Sequence, residues 1–147
     1  MKTFDQIEKR IGVRTEHILL QRCDDRTVCS LYRAYRYFFK TEPELYAFCV
    51  GRGWLLRALD PYHYWSRKYT KPEDALWTGD GLRIRIFIRE FKADGDMVRI
   101  DRLDDDSGNV VCYCVTYRRS GNYFTTEAEA NAYCVGRRWL PGIYERA

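Results

Sequence analysis

Between Leu82 and Phe91 the chain alternates two kinds of residue. Arg83, Arg85, Phe87, Arg89 and Phe91 fall on one side of an extended segment, and Leu82, Ile84, Ile86 and Ile88 on the other. Successive side chains of a strand point to opposite faces, so the spacing predicts an aliphatic row facing a helix and an Arg/Phe row facing outward. Guanidinium groups contact phosphates and base edges, and rings stack on bases. The row fits nucleic-acid contact; it also fits a charged outer face whose Phe pair is covered by the rest of the protein. The same residue types recur elsewhere. Arg118, Arg119, Asn122 and Tyr123 cluster late in the chain, and Arg33, Tyr35, Arg36 and Tyr37 hold the matching place upstream. Tyr62, Trp65, Arg67 and Lys68 lie in the segment between.

Other chemistries have less to build on. The cysteines fall three to a half: Cys23, Cys29, Cys49 and Cys112, Cys114, Cys134. No Cys-x-x-Cys occurs and the only histidines are His17 and His63, so a zinc site is not expected. Buried thiols packing as small apolar groups are expected. Cys29/Cys49 and Cys114/Cys134 share a spacing of 20 and would suit matching disulfides only in an exported protein. Asp101, Asp104, Asp105 and Asp106 crowd one stretch. Clustered carboxylates hold Mg²⁺ in nucleases, but Asp-Ser-Gly-Asn is ordinary turn chemistry and is read here as a turn. There is no Gly-rich phosphate loop, nucleophile elbow or metal-binding helix motif. The chain reads as a non-enzyme with no cofactor and no metal.

These residues must be positioned by a repeated unit. Residues 29–55 and 114–140 align without a gap at an offset of 85, with 14 of 27 positions identical. Each copy holds a Thr-x-x-Glu signature (Thr41/Glu44, Thr126/Glu129) that predicts a capped helix, ended near Gly51 and Gly136. Each helix carries a small-residue stripe closed by Trp: Pro43, Ala47, Val50, Trp54, and Ala128, Ala132, Val135, Trp139. A second apolar face holds Leu45, Phe48, Cys49 in one copy and Ala130, Tyr133, Cys134 in the other. A helix apolar on two sides is covered on two sides, so these second faces are expected to meet, with Cys49 and Cys134 buried.

Residues 4–11 read as a short helix, with Thr3 and Gln6 as cap and Gly12 as stop. Residues 17–23 and 27–38 read as a hairpin around Asp24-Asp25. Leu82–Lys92, Met97–Leu103 and Val110–Arg119 read as three strands, the first two joined at Asp94-Gly95. Residues 56–80 are too aromatic for a free linker, with a short helical turn near 72–77. The expected fold is α+β: a tandem duplication of a small antiparallel-sheet-plus-helix unit, ββα over 1–66 with an N-terminal helix, then βββα over 67–147, the halves packed into one compact body.

From Arg-bearing strands into Phe124, Thr126, Glu129, Ala130 and Tyr133, residues 82–139 resemble in topology the three-stranded-sheet-plus-helix DNA-binding modules of the AP2 and integrase-arm kind. The Phe124-to-Tyr133 spacing departs by one residue from the AP2 pattern. The resemblance implies DNA reading by the sheet.

Composition bounds the partner. Aromatics make up 16% of the chain, including 12 Tyr, more than a core of this size readily absorbs. Net charge is +4, with the excess of cations in residues 1–72. The first residues carry charges where a signal peptide needs an apolar run, and no stretch approaches a membrane span; a cytoplasmic protein, monomer or homodimer, without membrane contact is expected. Two functional classes fit. One is a small nucleic-acid-binding protein using the Arg/aromatic sheet face. The other is a protein-binding inhibitor or adaptor of phage or mobile-element type, acting on a host defence protein or nucleoprotein complex, since Tyr, Trp and Arg dominate protein interfaces as well.

Overall fold

The computed structural model describes residues 2–23, 28–32, 35–55, 84–105 and 107–146. The fold is mixed α+β, with antiparallel sheets and two helices among the described residues. In chain order these are β1 (Lys2–Ile11), β2 (Arg14–Arg22), β3 (Val28–Tyr32), β4 (Tyr35–Phe39), α1 (Glu42–Gly51), β5 (Ile84–Ala93), β6 (Asp96–Asp104), β7 (Val110–Tyr117), β8 (Ser120–Phe124), α2 (Glu127–Gly136) and β9 (Tyr144–Arg146). The chain divides into one unit of residues 1–60 and 132–147 and another of residues 61–131, the boundary falling inside α2.

In the first unit the strands run β1-β2-β3-β4-β9. Residues 4–11 are strand, not helix. Phe4, Ile7 and Ile11 suit a helical stripe, but β2 offers a full antiparallel ladder, with Ile7 opposite Ile18. Gly12, read as a helix stop, sits at φ 62 in the two-residue link from β1 to β2. Helix ends and tight hairpins both need a positive φ, so the glycine alone does not tell them apart. The extended run 27–38 is two strands, β3 and β4. β9 pairs with β4 through Tyr35–Tyr37 and covers what would otherwise be an open edge. The core gathers Ile7, Ile18 and Leu20 from the sheet with Leu45, Ala47, Phe48 and Cys49 from α1.

Helix α1 starts as expected. The Thr41 hydroxyl accepts from the Glu44 amide at 3.4 Å and donates to the Glu44 carboxylate at 2.9 Å. Both helices end alike: Trp54 N–H reaches Cys49 O at 2.9 Å and Trp139 N–H reaches Cys134 O at 3.0 Å. This closure requires a left-handed residue just past the helix. Gly53 fills it in one case (φ 78) and Arg138 in the other (φ 64), where a residue with a Cβ costs roughly 1 kcal/mol.

The ends of α1 and α2 cross at their glycines. A Cβ on Gly51 would strike Tyr133 O and lie 3.0 Å from the Gly136 Cα. A Cβ on Gly136 would strike Phe48 O and lie 2.9 Å from the Gly51 Cα. The backbones touch, so neither position admits a side chain. Phe48, Cys49, Tyr133 and Cys134 are buried beside this crossing, as expected for the second apolar faces.

In the second unit β5-β6-β7-β8 form a meander. Asp94 and Gly95 (φ 50 and 82) make the expected two-residue turn. The run 110–119 ends at Tyr117, and a fourth strand, β8, follows a reversal at Arg118-Arg119. Arg118 supplies a positive φ of 56 with no Gly, Asn or Pro to announce it. Each helix therefore follows four strands, not two or three. Glu129 is buried at the start of α2, accepting from the Thr125 and Thr126 hydroxyls at 2.6 and 2.9 Å. The segment 56–80, with its expected turn near 72–77, lies outside the described residues.

Gly51→Ala is expected to cost about 2–3 kcal/mol, since backbone rather than a flexible side chain must yield. Gly53→Ala, strained but unobstructed, is expected to cost about 1 kcal/mol. Urea unfolding of the two variants checks the order.

Candidate functional site

The Arg/Phe row of β5 does not survive as one surface. Phe87 pairs with Asp101, but Arg89 pairs with Ile100, so a bulge at Ile88 inserts one residue into the ladder. A one-residue slip exchanges the faces of a strand. Arg85 and Phe87 stay on the face of Asp101, whereas Arg89 and Phe91 turn to the face of Ile100 and Val98. There Arg89 donates to the Asn131 side chain at 2.8 Å. The aliphatic row is broken too: Ile84 is exposed. Leu82 and Arg83 lie outside the described residues.

The face assigned outward is partly core. Leu103, Cys112 and Cys114 form a buried cluster on it, with Tyr123 packed against them. Asp101 is fully buried at its centre. Arg85 donates to Asp101 Oδ2 at 2.8 Å, and Arg99 Nε reaches both carboxylate oxygens at 2.9 and 3.1 Å. The Arg99 guanidinium lies 5.1 Å from the centre of the Phe87 ring, itself 53% exposed. Burial acts to lower the Arg85 pKa, but the Asp101 hydrogen bond and the nearby Cys114 and Asp101 outweigh it and the group is raised. Burial foremost, then Cys114, pushes the Tyr123 phenol up.

The same neutralisation recurs. Arg102 holds Asp104 through two hydrogen bonds of 2.9 and 3.0 Å, and Arg118 holds Asp96 at 2.9 Å. Asp101 and Asp104 thus belong to the strand and its ion pairs, not to the turn. Asp105 serves the turn, accepting from the Ser107 and Asn109 amides at 3.0 and 2.8 Å. Tyr123 is set beside Cys114, away from Arg118 and Arg119 at the β7–β8 reversal. Arg36 is half-buried in β4. Arg33, Tyr62, Trp65, Arg67 and Lys68 lie outside the described residues. Cys49, Cys112, Cys114 and Cys134 are buried, and Cys23 is half-buried.

A different group of rings and cations does converge, in the first unit. A cavity of about 500 Å³ is lined by Tyr35, Tyr37, Tyr144, Trp139, Arg52 and Arg138, among others. β4 supplies the first two rings and β9 the third, because their pairing puts Tyr37 opposite Tyr144. The Tyr144 ring centre lies 5.7 Å from that of Tyr35 and 5.5 Å from that of Tyr37. Tyr35 and Tyr144 remain 40% and 56% exposed. Arg52 is fixed from two sides, donating to Gly136 O at 3.1 Å and to the Tyr37 hydroxyl at 2.8 Å. Its guanidinium lies 5.0 Å from the ring centres of both Tyr37 and Phe48. Burial first, and Arg138 in addition, lower the Arg52 pKa against the opposing pull of Tyr37. Tyr35 and Tyr37 were legible as candidates. Arg52, Arg138, Trp139 and Tyr144 were not, although the repeat marks Arg52/Arg137 and Trp54/Trp139 as identical pairs at the helix ends.

No protein-family model, curated protein or solved structure matches the chain. The residues themselves carry the functional argument.

Asp101→Ala is expected to destabilise the protein by about 2–3 kcal/mol, below the 3–5 typical of a broken buried pair because both arginines reach solvent. Arg118→Ala, whose ion pair is exposed, should leave the urea midpoint unchanged. Under native conditions a thiol reagent should label Cys23 ahead of Cys49, Cys112, Cys114 and Cys134, which should react only on unfolding; mass spectrometry of the labelled peptides reads the order.

Proposed function

We propose that this is a small non-catalytic protein that binds single-stranded nucleic acid in the cytoplasm. The observation that carries the reading is the cavity in which Tyr35, Tyr37, Tyr144 and Trp139 meet Arg52 and Arg138. Exposed rings offer bases a sequence-tolerant stacking surface worth about 1–3 kcal/mol each, and guanidinium groups beside them attract the backbone. The second unit's sheet supports the reading less, since Arg85, Arg99, Arg102 and Arg118 are each engaged by a carboxylate of their own sheet. Its ββββ-helix order also departs from the three-stranded modules it resembles. We further propose that the two ββββα segments are copies of one ancestral unit; the identities between residues 29–55 and 114–140, and the reciprocal clash at Gly51 and Gly136, support this.

A second reading, a protein-binding inhibitor or adaptor acting on a host complex, draws on Ile143. It is 77% exposed and precedes Tyr144 at the cavity's rim. An apolar residue beside exposed tyrosines suits a protein hot spot.

Salt separates the two. Fluorescence anisotropy with labelled single-stranded DNA and RNA is the measurement. Affinity should fall by at least about tenfold between roughly 50 and 200 mM salt if several phosphates are contacted. Tyr144→Ala and Tyr35→Ala should each weaken binding by about tenfold. No binding at the lower salt rejects the nucleic-acid reading and favours the protein partner.

A further inference from the structure

The close of α2 carries a residue that the fold does not ask for. Arg138 adopts a left-handed φ of 64. After α1 the equivalent residue of the repeat is Gly53, at φ 78. Glycine is what this conformation favours, since it has no Cβ to strain. The Arg138 side chain is exposed, and among the described residues it has no hydrogen-bond or ion-pair partner. The cation beside it in the ring-lined cavity is Arg52. Burial foremost lowers the Arg52 pKa, and Arg138 lowers it further, so the two guanidiniums repel each other. Arg52 is not free to turn away, because Gly136 O and the Tyr37 hydroxyl hold it.

Backbone strain and like-charge repulsion both act against Arg138, and no contact among the described residues offsets either. The described lining of the cavity holds no carboxylate. Glu145 adjoins Tyr144 in sequence, but it stands opposite Arg36 in the β4–β9 register, on the other face of the sheet from Tyr35, Tyr37 and Tyr144. A bound anion would offset the repulsion. A phosphodiester offers two non-bridging oxygens, one toward each guanidinium. The exposed rings of Tyr35 and Tyr144 in the same cavity favour a phosphate with a base attached over an isolated carboxylate. We propose that Arg52 and Arg138 together seat one phosphate of a bound single strand, and that Arg138 is retained for this contact against the stability of the fold. The proposal rests on the nucleic-acid reading and divides its site in two. Arg52 and Arg138 supply the salt-sensitive part of binding, and Tyr35 and Tyr144 the salt-insensitive part.

Labelled mixed-sequence single-stranded DNA is titrated with the full chain at several salt concentrations between roughly 50 and 200 mM. The slope of log affinity against log salt counts phosphate contacts, at about 0.7 per contact for a single strand. Arg138→Gly should make the slope shallower by about 0.7. It should also weaken binding by about tenfold at the lower salt. Without DNA it should melt at the same temperature as the wild type or higher, since glycine suits the backbone there. Arg138→Asn, a second residue at ease in the left-handed region, should change the slope in the same way, so a defect in one variant does not decide the matter. Arg138→Lys should keep the slope, because it keeps the charge. Tyr144→Ala should weaken binding and leave the slope unchanged, because a ring neutralises no phosphate. Wild-type binding whose slope and affinity survive in R138G and R138N overturns the phosphate seat and leaves the nucleic-acid reading standing. Both variants melting well below the wild type would show Arg138 serving the fold, which overturns the seat too. No binding by the wild type at the lower salt overturns the nucleic-acid reading and the seat with it, and leaves the paired guanidiniums to a carboxylate-bearing protein partner.

Discussion

Two glycines in backbone contact set most of what is distinctive in the first unit. Gly51 and Gly136 end α1 and α2, and the helices approach until each main chain fills the space of the other's missing Cβ. Such closeness brings two helix C-termini together, and their carbonyls need donors. Arg52 supplies one by reaching across to Gly136 O, which ties residues far apart in sequence through a charge-assisted hydrogen bond. Once Arg52 is drawn inward it lies against Tyr37 and Phe48, and Tyr37 in turn meets Tyr144. The ring-lined cavity and a second one, lined by Gly51 and Gly136 themselves, lie at this contact. They share Arg52 and Arg138 because both open beside the same crossing.

The helices were legible because their signals are local. Thr41 and Glu44, or Thr126 and Glu129, specify a cap without help from the rest of the fold, and the apolar faces follow at helical spacing. The strands were less so. Residues 4–11 satisfy helical and extended patterns alike, and only pairing with β2 decides between them. The missed reversals, after Tyr32 and at Arg118-Arg119, lack turn residues; where it is described, an arginine takes the strained φ instead. The bulge at Ile88 is harder still to foresee, because it is defined by register with β6 and leaves no mark in the residues of β5.

The site shows the same division. Arginines alternating with rings on one strand look like a binding surface when the strand is read alone. In the folded unit their partners come from the next strand, where Arg99-x-Asp101 and Arg102-x-Asp104 form two successive pairs on opposite faces. Arg85 joins the first from across the ladder. A buried carboxylate such as Asp101 is tolerable only with such company, and what it gains from two guanidiniums must offset its desolvation. These arginines hold carboxylates in a sheet that is buried on both faces at its centre.

Charge density alone therefore does not identify a binding surface in this chain. The relevant distinction is between cations answered by carboxylates of their own sheet and cations aligned by neutral partners. Arg85, Arg99, Arg102 and Arg118 belong to the first kind. Arg52 belongs to the second: a backbone carbonyl, a tyrosine hydroxyl and ring faces orient it without cancelling its charge. A neutral partner fixes geometry at small cost to the surrounding field, whereas an ion pair removes the field it would need to attract a ligand. By that criterion Arg52, at the end of α1, retains a field that Arg85, Arg99, Arg102 and Arg118 do not.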